Sequence, residues 1–421
     1  MSYKEAVEFL YQLQVFGANL GLERAFKLAE LAGRPQDKLK FIHVAGTNGK
    51  GSTCAMLESI YRHAGYKTGL FTSPHLISFG ERIQINRQLI PEPEVARLVA
   101  VMRDLLVQLP EGDHPTFFEV VTIMALIWFA EQKCDIVIWE TGLGGRLDAT
   151  NIVTPLASVI TSISLDHEKW LGYTITEIAR EKAGIIKPGV PVFTLADTQE
   201  AWDVIRETAQ RNNAPLHTIE SKHVWSSSLM GLHQLENAGL AVTVAKCLPI
   251  EIDDTTIRAA LQNVIWPGRF DIRGRYIFDG AHNREGAMVL SGTIGLTFSG
   301  LRPAFIIGVL ADKDIEGMAK AISHVAGRIL TVGVHSDRAA DANYVAQVFR
   351  KVAPDLSVQA CASLADALTK TENEDRVVIT GSLHFIGEAM EHLGFEVRKP
   401  GERSLNDWSQ KTNDKPGGRS S

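Results

Sequence analysis

Cysteine is scarce in this sequence. Only Cys54, Cys134, Cys247 and Cys361 occur, too far apart for a metal or redox motif. That usage points to buried thiols in a reducing compartment. A basic excess is also missing: 43 Lys and Arg against 49 Asp and Glu leave a formal net charge of −6. Nothing therefore suggests a nucleic-acid surface. No apolar run reaches the roughly 18 residues that a membrane helix needs. The opening Met-Ser-Tyr-Lys-Glu lacks the charged-then-apolar order of a signal peptide. No internal repeat is visible. These absences predict a cytoplasmic chain with neither membrane nor nucleic acid as partner.

What is present is ordinary globular material. The 421 residues suffice for two or three domains, and a hydrophobic content of 45% can bury a sizeable core. Apolar positions at helical spacing (Phe9, Leu10, Leu13, then Leu22, Phe26, Leu28, Leu31) predict two helices within 3–32. Strands are expected at 40–45, 68–71, 134–139, 157–162 and 190–195. Helices are expected at 51–64, 92–109, 117–132 and 174–183, the last opened by a Thr174/Glu177 capping box. Alternating strands and helices imply a doubly wound, mostly parallel α/β sheet. Near Trp266-Pro267-Gly268-Arg269-Phe270 the character shifts. A second alternating series follows, with strands at 276–279, 304–309, 329–334 and 377–381. The expected domains are thus 1–268, a smaller Rossmann-like unit over 269–400, and a polar, disordered tail over 401–421.

The densest chemical signal is Phe41 to Thr53, Phe-Ile-His-Val-Ala-Gly-Thr-Asn-Gly-Lys-Gly-Ser-Thr. A β-branched run enters a glycine turn, then a lysine, two hydroxyl residues and a helix. Gly46, Gly49 and Gly51 admit an anion close to backbone N–H groups. Lys50 neutralises β- and γ-phosphate charge, and Ser52 or Thr53 offers a hydroxyl to magnesium. Val44 and Gly51 break the commonest phosphate-loop spacing, which makes the loop a variant, Gly-x-x-Gly-Lys-Gly-Ser.

In open parallel sheets ligands gather beyond the carboxyl ends of the strands. Ser73, Glu140 and Asp166-His167 follow predicted strands and suit a hard cation held by oxygen plus one imidazole. Each also has a plainer reading: a turn residue for Ser73, a strand-end charge for Glu140, a structural imidazole for His167. Lys182 fits a helix C-terminus without further role. Glu119 either opens a helix or faces a ligand. Phe278-Asp279-Gly280-Ala281-His282-Asn283, Gly308–Asp314 and Gly381-Ser382 are strand-end elbows on one edge of the second unit.

Taken in order from His43 to Ser382, these segments resemble the folylpolyglutamate synthase/dihydrofolate synthase family, relatives of the Mur peptide ligases. Gly-Thr-Asn-Gly-Lys-Gly-Ser together with Gly-Leu-Gly-Gly-Arg-Leu-Asp-Ala-Thr-Asn is the most specific part. The resemblance implies ATP phosphates on Thr47, Asn48, Gly49, Lys50, Gly51 and Ser52, with further nucleotide contacts from Asn237, Arg269 and Asp279. It implies one or two Mg²⁺ ions on Ser73, Glu140 and His167, a carbamylated Lys182 and a monovalent cation. Asn19, Leu20, Thr116, Phe117, Phe118, Glu119, Leu147, Asp148 and Ala149 match the pterin-side pocket. His282 and Ser382 match positions that hold the incoming glutamate, so Lys50, Lys182 and His282 become the expected catalytic residues. Arg284 stands where the family usually has proline.

The implied reaction activates a carboxylate of dihydropteroate or a reduced folate as an acyl phosphate, which the amine of L-glutamate then attacks. A monomer acting on small molecules is expected. Two other readings stay open: a Mur-like ligase on another carboxylate, disfavoured by the roughly 40 residues before the phosphate loop, and a phosphate-loop kinase or switch.

Overall fold

Eight strands build the larger sheet in this computed structural model, which describes residues 1–14, 21–110, 113–219, 224–395, 402 and 405. They are β1 (Phe41–Ala45), β2 (Thr68–Phe71), β3 (Ile83–Ile85), β4 (Gln88–Leu89), β5 (Ile136–Glu140), β6 (Ala157–Ile160), β7 (Val192–Thr194) and β8 (Leu216–Thr218). Their order is β4-β3-β2-β5-β1-β6-β7-β8. Six run parallel, and β3 and β4 close one edge antiparallel. Strands β1, β5 and β6 are buried throughout, so near-continuous apolar runs form them.

Register sets up the site. Val44 on β1 lies beside Glu140 on β5 and Val159 on β6. The loops that leave these strands, at Gly46, Thr141 and Thr161, therefore emerge at one level. The helix Lys50–His63 begins directly after the glycine loop and packs against Leu232–Cys247, and Cys54, Leu57, Ala238 and Ala241 belong to their common core. The helix Phe117–Glu131 is apolar nearly all round because it is sandwiched in the core on the other face.

The smaller sheet has the order β13-β12-β11-β14-β10-β9. Its strands are β9 (Asp271–Arg273), β10 (Tyr276–Asp279), β11 (Ala304–Ile307), β12 (Arg328–Thr331), β13 (Ser357–Ala360) and β14 (Val377–Thr380). All are parallel except β9, which pairs antiparallel with β10. Two mostly parallel α/β sheets are thus present, as the strand-and-helix alternation predicts. Strands β3, β4, β8, β9 and β13 carry no such signal. They are two to four residues long, and β8, β9 and β13 are at most half-buried.

Asn19 and Leu20 lie outside the described residues, as does most of the stretch 401–421 expected to be a disordered tail. Glu402 and Leu405 are the exceptions, and both are buried. Among the described residues no helix is long and apolar enough to cross a membrane.

Candidate active site

The glycine loop is shaped by close approach. Gly49 adopts φ +85°, and a Cβ there would stand 2.6 Å from Asn237 Oδ1; at Gly46 a Cβ would meet Thr161 Oγ1 at 1.7 Å. Only glycine fits such positions. Thr47 anchors the loop: its N–H donates to Ser162 O at 2.8 Å and its hydroxyl to Ser164 O at 3.1 Å. Lys50 folds back over the turn, with Nζ 3.1 Å from Gly46 O and 3.3 Å from Thr47 O. Behind the loop, Gln234 Nε2 donates to Ser52 Oγ at 3.3 Å, and Thr53 Oγ1 to Asn237 Oδ1 at 3.4 Å.

These residues floor a cavity of about 490 Å³ that also takes in Ser73, Glu140, His167, Lys182, Arg269, Asp279 and His282. Glu140 ends β5, is buried, and accepts the Ser73 N–H at 3.2 Å. Burial pushes its carboxyl up to about 7, although the Lys50 charge opposes the shift. His167 sits in a left-handed turn at φ 52°, beside Asp166. Burial, reinforced by Lys313, lowers its imidazole to about 3 and keeps it neutral. Among the described residues no cluster of three or more His, Cys, Asp or Glu side chains forms a metal cage. A hydroxyl, a buried carboxylate and a neutral imidazole on a roomy, partly polar cavity do fit a divalent ion that takes its remaining ligands from phosphate and water.

Lys182 leaves its own helix end. Its buried Nζ crosses to the glycine loop and donates to Gly46 O at 2.7 Å. Burial, then the neighbouring Lys50 charge, lowers its ammonium to about 7.

The second sheet delivers the opposite wall. Asp279 ends β10 and accepts the Phe270 and Ala281 N–H groups at 2.9 Å each, next to the half-buried Arg269. His282 Nδ1 holds Gly280 O at 2.8 Å and turns Nε2 to Asp166 Oδ2 at 3.3 Å. Asn283 bridges Asn48 Oδ1 and Asp166 Oδ2, and Asn48 Nδ2 donates to Glu285 Oε2 at 2.7 Å. Burial raises the Asp166 carboxyl. The His282 hydrogen bond and the neighbouring Lys313 charge outweigh it and hold the group well below the usual carboxylate range.

A second cavity, of about 280 Å³, is lined by Thr116–Glu119, Leu147–Ala149, His282 and Ser382. Glu119 opens its helix and also lies at a cavity wall. It closes a capping box with Thr116 and pairs with Arg24 at 3.0 Å. Asp148 turns its oxygens to the Gly142, Leu143 and Thr150 N–H groups and so organises the glycine loop after β5. Ser382 caps the helix Leu383–His392 through the Phe385 N–H at 3.0 Å. Ser73, Leu143, His167 and His282 border both cavities, so the two spaces meet there.

Several lining residues escape sequence reasoning: Arg82, Lys313, Arg338, His384 and Leu405. Lys313 lies inside the Gly308–Asp314 elbow, which the sequence singles out as a segment without giving the lysine a role.

Comparison with known proteins gives two family matches, the Mur ligase middle domain over residues 44–191 and the Mur ligase, glutamate ligase domain over 268–383. The chain is 37% identical to the dihydrofolate synthase/folylpolyglutamate synthase of Bacillus subtilis (strain 168), across 93% of this chain and 99% of that protein. It resembles the solved E. coli FolC in complex with DHPP and ADP, with TM-score 0.84 and 31% identity over 94% of this chain and 98% of that one. Mycobacterium tuberculosis folylpolyglutamate synthase complexed with ADP and AMPPCP gives TM-score 0.82 and 29% identity, covering 95% and 100%.

Proposed function

The chain belongs to the folylpolyglutamate synthase/dihydrofolate synthase family of Mur-type ligases, and from that premise we propose that it forms an amide between L-glutamate and a pterin or folate carboxylate at the expense of ATP. The observation that carries this reading is the shared wall. A phosphate cradle and a largely apolar cavity meet at Ser73, Leu143, His167 and His282, where a γ-phosphate and an acceptor carboxylate come together. Both dihydropteroate and a reduced folate are taken as acceptors.

In the first step a carboxylate oxygen attacks the γ-phosphorus and ADP leaves. Two anions must approach, so charge neutralisation dominates. Lys50 and the N–H groups of Thr47 to Ser52 supply it on the phosphates, and Asn237, Arg269 and Asp279 hold the rest of the nucleotide. Ser73, Glu140 and His167 are the residues that would hold Mg²⁺; when bound, the ion neutralises phosphoryl oxygens. Lys182, lowered to about 7, is in good part an uncharged amine at neutral pH and therefore competent to add CO₂. The resulting carbamate would replace a cation by an anion beside the cradle.

In the second step the glutamate amine displaces phosphate from the acyl group, and orientation matters most. His282 and Ser382, on the smaller sheet's elbows, hold the glutamate, while Thr116–Glu119 and Leu147–Ala149 hold the pterin side. The domains, 1–268 and 269–400, close on each other to keep water from the acyl phosphate. Four free cysteines support a reducing, cytoplasmic setting, and small-molecule substrates require no second copy.

The test is ADP release with dihydropteroate or tetrahydrofolate supplied separately. Release that needs both an acceptor and L-glutamate, with the glutamylated product identified by mass, supports the reading. ADP release independent of both sinks it in favour of a nucleotide switch.

A further inference from the structure

Glu402 lies beyond both family-matched stretches, yet it is built into the first domain. Its Oε2 accepts the Phe79 N–H at 2.8 Å, and its main-chain oxygen stands 3.0 Å from His75 Nε2. On the other side of the ring, Arg82 Nε donates to His75 Nδ1 at 2.8 Å. A guanidinium can only donate, so Nδ1 accepts, the ring proton sits on Nε2, and Nε2–H donates to the Glu402 carbonyl. Glu402, His75 and Arg82 are all buried. The Arg82 guanidinium lies over the Phe117 ring, 5.3 Å from its centroid, and both border the smaller cavity. Leu405, 2% exposed, borders that cavity too and packs in the same core as Phe79, Phe117 and Ala149.

We propose that Glu402 and Leu405 form the closing wall of the acceptor cavity. Leu405 supplies apolar surface to the flat aryl part of the acceptor. Glu402 is a positioning residue: pinned by Phe79, its carbonyl fixes His75, and His75 fixes the plane of Arg82 against Phe117. A cation over one aromatic face beside an aliphatic wall selects a planar, anionic aromatic ligand. The inference rests on the assignment of this cavity to a pterin or folate.

The test uses full-length Leu405→Ala, Glu402→Ala and Glu402→Gln, with initial rates measured while acceptor and ATP are varied in turn. Leu405→Ala and Glu402→Ala are expected to raise the acceptor KM by about tenfold, the scale of a few lost apolar contacts or one misplaced polar group. The ATP KM and kcat stay within about twofold on the same grounds. Glu402→Gln keeps an acceptor oxygen for the Phe79 N–H and recovers most of the affinity lost in Glu402→Ala. Wild-type acceptor KM in both alanine variants overturns the inference, as does an equal rise in both KM values with a lowered Tm. If Leu405→Ala does not fold, Glu402→Ala and its glutamine rescue carry the test. Absence of ligation by the wild-type chain on any pterin or folate would instead remove the functional reading beneath it.

Discussion

Lys313 Nζ stands 2.6 Å from Asp166 Oδ1, and the two side chains are only 5% and 7% exposed. Asp166 follows β6 of the larger sheet, and Lys313 follows β11 of the smaller one. The ion pair therefore spans the two sheets, next to His167 and His282, where the two cavities meet. A carboxylate so deeply buried stays ionised only because cations and donors from the other domain surround it.

Replacing Lys313 by Met should consequently damage ligation more than folding. The variant keeps the aliphatic stem but leaves Asp166 short of a charge partner, with Asn283 and His282 still in place. A loss of about 2–3 kcal/mol in the closed arrangement corresponds to roughly a hundredfold fall in glutamate ligation at saturating ATP. ADP affinity, measured by calorimetry, should change only a few-fold. Full ligation activity in Lys313→Met would show that the pair has no part in assembling the site.

Lys50→Ala should abolish ATP-dependent ligation and leave the fold intact. The Nζ contacts are two loop carbonyls, Gly46 O and Thr47 O, which water can satisfy in the variant. Among the described residues lining this cavity the other lysine is Lys182, which is buried and lowered to about 7, while Arg269 is assigned to the rest of the nucleotide. An unchanged far-UV spectrum with turnover reduced by at least about a thousandfold is expected, the scale of a lost phosphoryl-group cation. Retained turnover in a folded variant would sink the role given to this lysine.

How much of this was legible in the sequence follows from burial. Strands β1, β5, β6, β11 and β14 are buried throughout and β10 at its centre, so their apolar runs announce them, and the loops that follow them carry most of the candidate residues. Strands β3, β4, β8, β9 and β13 are short edge or near-edge elements whose pairing comes from neighbours rather than from their own pattern. Lys313 lies in an elbow, Gly308–Asp314, that the sequence singles out, but its own role depends on Asp166, 147 positions earlier, and no local pattern shows that pairing. Arg82 and His75 were hidden likewise, because their partner Glu402 sits in a polar stretch with no periodicity. Glu119 stayed ambiguous in sequence because a capping carboxylate and a cavity carboxylate have the same local signature, and here one residue is both.

Lys182→Ala should lose most activity and regain part of it when small carboxylates such as formate or acetate are added. The side chain reaches Gly46 O rather than its own helix end, and its amine is lowered to about 7 by burial and the Lys50 charge. If a carbamate forms there, what the site uses is an anion, and a diffusible carboxylate replaces it in the vacated space. Full activity in Lys182→Ala would return this residue to a helix-end role. Loss of activity with no rescue by any carboxylate would argue that the ammonium itself is what the cradle needs.

His43 lets the acid limb of stability be traced to one group. It lies on β1 with no exposed surface, and Nε2 is 2.9 Å from Thr150 Oγ1. The Thr150 hydroxyl is directed at Asp148 Oδ1, so it accepts from His43 Nε2–H, and Nδ1 has no hydrogen-bond partner among the described residues. Burial, with a smaller contribution from the Lys187 charge, lowers this imidazole from 6.5 to about 3. The folded chain therefore refuses a proton that the unfolded chain accepts. The sign is that of a depressed base: its contribution is complete above pH 6.5 and is lost as pH falls from 6.5 toward 3. The slope for one such group is at most about 1.4 kcal/mol per pH unit, which amounts to roughly 4–5 kcal/mol over that window. His43→Gln keeps a donor for Thr150 but cannot titrate. Urea unfolding across the acid limb should show the variant losing stability less steeply than the wild type, by up to about one proton's worth of slope. Parallel slopes for the two proteins would mean that His43 is protonated in the folded state after all.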